Sequence, residues 1–172
     1  MLQANTYAAR ILIFGNSGAG KSTRAKAYAK EYQLAHFDLD TIAWNNTNPP
    51  TRKALDSSIE QLTDFTSTHE TWVIEGCYAD LIEVLLSSAT HVIFIDLPVE
   101  KCIENAKNRP WEPHKYGSKA EQDANLQMLL EWIRGYESRN DVFSRQAHNE
   151  LYLKAHCNKV RIASNEQSYK LD

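Results

Sequence analysis

The residues best suited to chemistry form one short run. Gly15-Asn16-Ser17-Gly18-Ala19-Gly20-Lys21-Ser22, with Thr23 next, has glycine, four residues, then glycine, lysine and serine. This is the spacing of a phosphate-binding loop, or Walker A motif. Glycines let backbone N–H groups turn inward around phosphate oxygens. A helix opening near Gly20 aims further free N–H groups and its positive dipole end at the same anion. Lys21 supplies a mobile charge for the terminal phosphates, and the Ser22 hydroxyl can ligate Mg²⁺. The whole run from Gly15 to Thr23 is therefore the candidate nucleotide cradle.

Carboxylates and arginines further along complete a set suited to phosphoryl transfer. Asp38 and Asp40 close an apolar stretch, Gln33-Leu-Ala-His-Phe37. If that stretch is a parallel strand, both lie at the end that faces the ligand crevice. One can serve Mg²⁺ while the other orients an acceptor hydroxyl. The plainer alternative has Asp40 cap the next helix and Asp38 face solvent. Glu75 and Asp96 close two more apolar runs and are rivals for the magnesium shell. Arg109 stands in Lys107-Asn-Arg-Pro-Trp-Glu-Pro-His-Lys-Tyr-Gly-Ser118, which two prolines and a glycine bar from regular helix. A basic, aromatic loop between helices suits a lid over the phosphates. Arg139, near the end of the next helical pattern, is a candidate to reach transferring phosphate.

These groups need a scaffold that brings several strand ends together. Arg10-Ile-Leu-Ile-Phe14 reads as a buried strand, and a helix follows to about Tyr32 with Ala25, Tyr28, Ala29 and Tyr32 on its inner stripe. Thr71–Ile74, His91–Ile95 and Lys159–Ile162 read as further strands. Helices are expected from Arg52 to about Thr68, Leu81 to Leu86, and from Pro98 onward. Two more are expected over Lys119–Arg139 and Asp141–Cys157, while Asn45–Pro50 is a turn-rich break. Five strands alternating with helices predict a three-layer α/β fold around a parallel sheet.

Composition narrows the class. The chain has 172 residues, 42% of them apolar, and a formal charge of −3. A pI near 6.1 provides no overall field for nucleic acid. Three scattered cysteines give neither a disulfide frame nor a zinc site. No apolar run approaches membrane-spanning length, and residues 1–9 read as a loose arm too polar for a signal peptide. The expectation is one cytoplasmic domain, with a lid at about 108–119 and an acceptor side at about 39–70.

From about residue 10 to 165 the chain resembles the small P-loop kinases, such as adenylate, shikimate and gluconate kinases. It is most similar to the adenylate-kinase-like bacterial group called DNA topology modulation proteins. The resemblance implies strand order 2-3-1-4-5, ATP and Mg²⁺ as cofactors, and a small-molecule acceptor. Phe37-Asp-Leu-Asp40 is similar to the paired aspartates of shikimate kinases, which implies magnesium for Asp38 and the acceptor hydroxyl for Asp40. Arg109-Pro110 resembles the start of their lid. Val73-Ile-Glu-Gly-Cys-Tyr78 looks like the strand end of adenylate kinases, with Ala79 where their phosphate-gripping arginine would stand.

The leading expectation is an ATP-dependent kinase for a small hydroxyl or phosphate acceptor. Lys21, Asp40, Arg109 and Arg139 would be its catalytic residues, and Ser22, Asp38 and Glu75 its metal side. A nucleotide-dependent switch without an acceptor is the alternative. A nucleoside or nucleotide kinase, with Trp44, Tyr78 or Trp111 stacking a base, is a weaker one.

Overall fold

The computed structural model describes residues 8–171. The expected N-terminal arm falls mostly outside these residues. Five parallel strands make the main sheet: β1 (Arg10–Gly15), β2 (Ala35–Asp38), β5 (Trp72–Gly76), β6 (His91–Ile95) and β7 (Asn158–Ile162). Their order is β2-β5-β1-β6-β7. Counted along these strands alone, this is the expected 2-3-1-4-5. A two-stranded antiparallel ribbon, β3 (Trp44–Asn45) with β4 (Thr51–Arg52), stands apart.

The sheet is covered on both faces, which is why its strands are almost continuously apolar. Side chains alternate across it. Leu12, Phe14, Trp72, Ile74, Val92 and Phe94 pack on one side with residues of α3 (Leu55–Thr68), α4 (Ala79–Leu85) and α7 (Arg145–Lys154). Ile11, Ile13, Val73, Ile93 and Ile95 pack on the other, against α1 (Lys21–Tyr32), α5 (Val99–Lys107) and α6 (Lys119–Arg134). Cys102 is fully buried in this second layer, as its place on the helical stripe predicts.

Several expected boundaries move. The helix from Lys119 stops at Arg134 and gives way to a 3₁₀ turn over Gly135–Glu137, so Arg139 lies beyond it. The last helix is shorter than Asp141–Cys157, because the Ser144 Oγ accepts the Ala147 N–H and starts it at Arg145. The turn-rich break expected at Asn45–Pro50 forms the connection of the β3–β4 ribbon. A one-turn helix, α2 (Asp40–Ala43), leads into the β3–β4 ribbon. Leu55 is 40% exposed, whereas Leu62 of the same helix is buried.

Candidate active site

The loop between β1 and α1 is folded to receive an anion. Gly18 has φ +76°, and a Cβ there would meet the Cys102 carbonyl oxygen at 2.3 Å. Glycine is thus required both by conformation and by the close approach of α5. Gly20 has φ +85°, and a Cβ on it would point into open space. It precedes α1 and provides no side-chain cap, so the first N–H groups of the helix are left for a ligand. Two amides tie the loop to the helices beside it: Asn16 Nδ2 donates to the Ile133 carbonyl at 3.2 Å, and Asn105 Nδ2 to the Gly18 carbonyl at 2.9 Å. The Lys21 ammonium lies across the loop, donating to the Asn16 carbonyl at 2.7 Å.

The sheet register brings the carboxylates to this loop. Asp38 of β2 and Glu75 of β5 are direct partners across adjacent parallel strands. Glu75 is 2% exposed, and its Oε1 accepts the Ser22 hydroxyl at 2.7 Å. The same oxygen lies 3.5 Å from His36 Nε2. Ser22, Glu75 and Asp38 thus stand as candidate oxygen donors of the kind that Mg²⁺ favours. Among the described residues, no three or more His, Cys, Asp or Glu are grouped to hold a metal by themselves. Asp96, the rival to Glu75, is engaged elsewhere. Arg145 forks onto it at 2.8 and 2.7 Å, and Arg161 adds a contact at 2.9 Å. Burial pushes the Asp96 acid up, but these hydrogen bonds override it and hold the group below its usual value.

Asp38 and Asp40 take different positions. Asp38 Oδ1 accepts the Asp40 N–H at 2.9 Å, so the capping oxygen at the start of α2 belongs to Asp38 rather than Asp40. Burial, then the neighbouring charges of Asp40 and Glu75, push the Asp38 acid up to about 6. Asp40 faces the cleft. Enclosure pushes its acid up too, but Lys115 and then the Tyr78 hydroxyl override this and hold it below the usual range. Tyr78 donates to Asp40 Oδ1 and accepts the Trp44 indole N–H at 2.7 Å.

The loop from Asn108 to Tyr116 roofs the cleft and contains no regular helix. Gln122 of α6 clamps its base, accepting the Glu112 N–H at 2.8 Å and donating to the Pro110 carbonyl at 3.1 Å. Arg109 pairs with Glu112 at 2.9 Å. Lys115 reaches down, with its Nζ 3.0 Å from Asp40 Oδ2 and 3.8 Å from Asp38 Oδ2. Burial alone would lower the Lys115 pKa, but the charges of Asp40, Asp38 and Glu112 raise it. The sequence reading passed over Lys115. Its signal was a lysine three residues after Glu112, in a loop already read as a basic lid.

One cleft of about 970 Å³ joins these parts. Its walls include Ser17–Thr23, Asp40, Glu75, Asn105, the 108–116 loop and Asn165. The cradle, Asp40, Glu75 and Arg109 are therefore brought together as the sequence led one to expect. Arg139 is not. Its guanidinium stacks 3.6 Å from the Trp132 ring centroid and bonds the Trp132 and Gly135 carbonyls. Trp111 reaches the cleft wall, whereas Trp44 and Tyr78 pack with Phe143 in an aromatic cluster.

No family model matches the chain, and no curated protein matches it. Solved structures do match. The shikimate kinase from Bacteroides thetaiotaomicron superposes with a TM-score of 0.53 at 15% identity, over 92% of this chain and 89% of that one. The fold is that of a shikimate kinase. Two more structures are similar with a TM-score of 0.48. The shikimate kinase from Acinetobacter baumannii in complex with shikimate is 19% identical over 91% of this chain and 84% of its own. That from Aquifex aeolicus is 21% identical over 88% and 86%. The five-stranded parallel sheet, with the phosphate loop after its central strand, is an architecture shared with the Bacteroides structure.

Proposed function

We propose that the chain is an ATP-dependent phosphotransferase that moves the terminal phosphate of ATP to a hydroxyl on a small molecule. The supporting observation is that a phosphate cradle and a carboxylate oxygen held by the roof's Lys115, Asp40 Oδ2, share one cleft. Phosphoryl transfer depends on placing donor and acceptor in line and neutralising charge between them. The loop N–H groups and Lys21 would hold the phosphates. Ser22, Glu75 and Asp38 would hold magnesium, which supplies charge neutralisation when bound. Asp40 would accept a hydrogen bond from the acceptor hydroxyl. Arg109 and Lys115 would bring positive charge from the roof, and closure of the loop would exclude water.

The Asp40 carboxylate on the acceptor side favours a hydroxyl over a phosphate as the attacking group. A phosphate arriving there would meet the Asp40 charge, which has one close lysine. We therefore place the hydroxyl acceptor ahead of a nucleoside monophosphate. Arg139 would need to leave Trp132 to reach phosphate, so it has no part in this reading.

The test is ADP release from Mg²⁺-ATP, alone and with a panel of sugar acids, shikimate, nucleosides and nucleoside monophosphates. One hydroxyl compound should raise turnover well above background. A flat panel over slow, acceptor-independent hydrolysis would sink this reading and leave a nucleotide-dependent switch.

A further inference from the structure

The side chain that touches Asp40 from behind is Tyr78, and its hydrogen bonds have a defined direction. An indole N–H only donates. Trp44 Nε1 lies 2.7 Å from the Tyr78 oxygen, so that oxygen accepts from Trp44. Its one proton is then free for Asp40 Oδ1, the other neighbour in contact. The result is a one-way chain from Trp44 through Tyr78 to Asp40.

We propose that Tyr78 is a positioning residue for phosphoryl transfer, fixing Asp40 through Oδ1 so that Oδ2 is the oxygen offered to the acceptor hydroxyl. This rests on the phosphotransfer reading of the cleft. Four observations support it. Tyr78 is 2% exposed, so its ring cannot swing to another hydrogen-bond partner without disturbing the core. Phe143 packs edge-on against the Tyr78 ring at 5.4 Å and stacks with Trp44 at 6.4 Å, fixing both members of the chain. Gly76 makes room for the arrangement, since a Cβ there would come within 2.9 Å of Leu39 and 3.0 Å of the Tyr78 ring. Finally, Lys115 contacts Asp40 through Oδ2, the oxygen that Tyr78 leaves free.

The protonation states agree with this geometry. Burial, followed by the Asp40 charge, pushes the tyrosine pKa upward. Tyr78 therefore remains a donor throughout the working pH range. A hydroxyl that is already hydrogen-bonded also polarises the next bond in the chain. Holding a reacting group to within a fraction of an ångström can decide turnover, because a displacement near 1 Å costs roughly 100-fold.

The first arm of the test needs no acceptor. In ¹⁵N-labelled protein the Trp44 indole N–H resonance reports the chain directly. Asp40→Asn should shift it, although the carboxylate is one hydrogen bond further on. In a Tyr78→Phe background the same substitution should leave it in place. A Trp44 resonance indifferent to Asp40→Asn in the otherwise native protein would overturn the proposal.

The second arm uses an acceptor found by the turnover panel. Tyr78→Phe should lower kcat by roughly 10- to 100-fold, with the KM for Mg²⁺-ATP almost unchanged. Adding Tyr78→Phe to Asp40→Ala should cause no further loss, because the two act as one unit. A loss of melting temperature with kcat intact would make Tyr78 a packing residue and nothing more. If Tyr78→Phe does not fold, Trp44→Phe keeps the hydroxyl but frees its far end, and should give a smaller fall in kcat of the same kind. A working relay in a protein that no acceptor stimulates would mean that the phosphotransfer reading has failed, and the positioning role with it.

Discussion

Lys115 Nζ lies 3.0 Å from Asp40 Oδ2, so the lid's cation rests on the oxygen that an acceptor hydroxyl would need. The roof is therefore closed onto the site by a contact that an acceptor, on the phosphotransfer reading, would have to displace. Arg109 is occupied in the same way by Glu112. Both cations are paired with carboxylates, and on the phosphotransfer reading they would turn to phosphate when those pairs open.

This contact predicts that Lys115→Met loosens the lid before any ligand binds. Backbone hydrogen exchange across 109–116 should speed up by roughly tenfold or more, since local opening then works against fewer contacts. The Gln122 clamp is untouched, so the base of the loop should change less. Unaltered exchange across the loop would show that Lys115 does not latch it.

The phosphate cradle predicts a separation of binding from folding. Among the described residues the Lys21 ammonium makes one hydrogen bond, to the Asn16 carbonyl, so Lys21→Ala should melt within a few degrees of the native protein. Its ATP turnover should fall by at least roughly 100-fold, the usual scale for losing a preorganised charge at a transferring group. Full activity in a folded Lys21→Ala variant would remove the cradle from the mechanism.

Glu75 predicts a defect specific to the metal. Its Oε1 holds the Ser22 hydroxyl, and the carboxylate is almost wholly buried. Glu75→Gln keeps the shape and an accepting oxygen but loses the charge. Calorimetric titration should show weaker binding of Mg²⁺-ATP, by roughly tenfold, with metal-free ATP bound as before. Equal loss with and without magnesium would make Glu75 a support for the loop rather than part of the metal's shell.

The architecture and the donor side could be read from the sequence because each rests on local pattern. Apolar strands, helical stripes and a glycine-spaced loop are short-range signals, and Ser22 near Glu75 follows once two strand ends share a sheet edge. The acceptor side depended on contacts that no spacing encodes. Lys115 meets Asp40 across 75 positions, and Tyr78 meets it across 38. The fate of Arg139 turned on Gly135, which ends the helix early and lets the arginine fold back onto Trp132. Asp96 has the sequence position of a strand-end metal ligand, but Arg145 forks onto it and Arg161 adds a single contact.

His148 predicts how the protein responds to acid. It is fully buried between the sheet and α7, with Phe14 and Phe94 rings 5.7 and 6.1 Å away. Its Nε2–H donates to the Cys77 carbonyl at 2.8 Å, and its Nδ1, 2.7 Å from the Tyr136 oxygen, accepts that hydroxyl's proton. A neutral ring satisfies both bonds. Burial drives the pKa from 6.5 down to about 4. Between those values the unfolded chain binds a proton that the folded chain refuses, so stability is fully present above about pH 6.5 and declines as the pH falls towards 4. A shift of that size corresponds to about 3 kcal/mol across the window. His148→Gln offers one donor and one acceptor to the same partners but cannot titrate. Denaturant unfolding should show the native protein losing stability from pH 7 to 4.5, while the variant, less stable at pH 7 through lost ring packing, changes less over the same range. Parallel declines in the two proteins would assign the acid sensitivity to other groups.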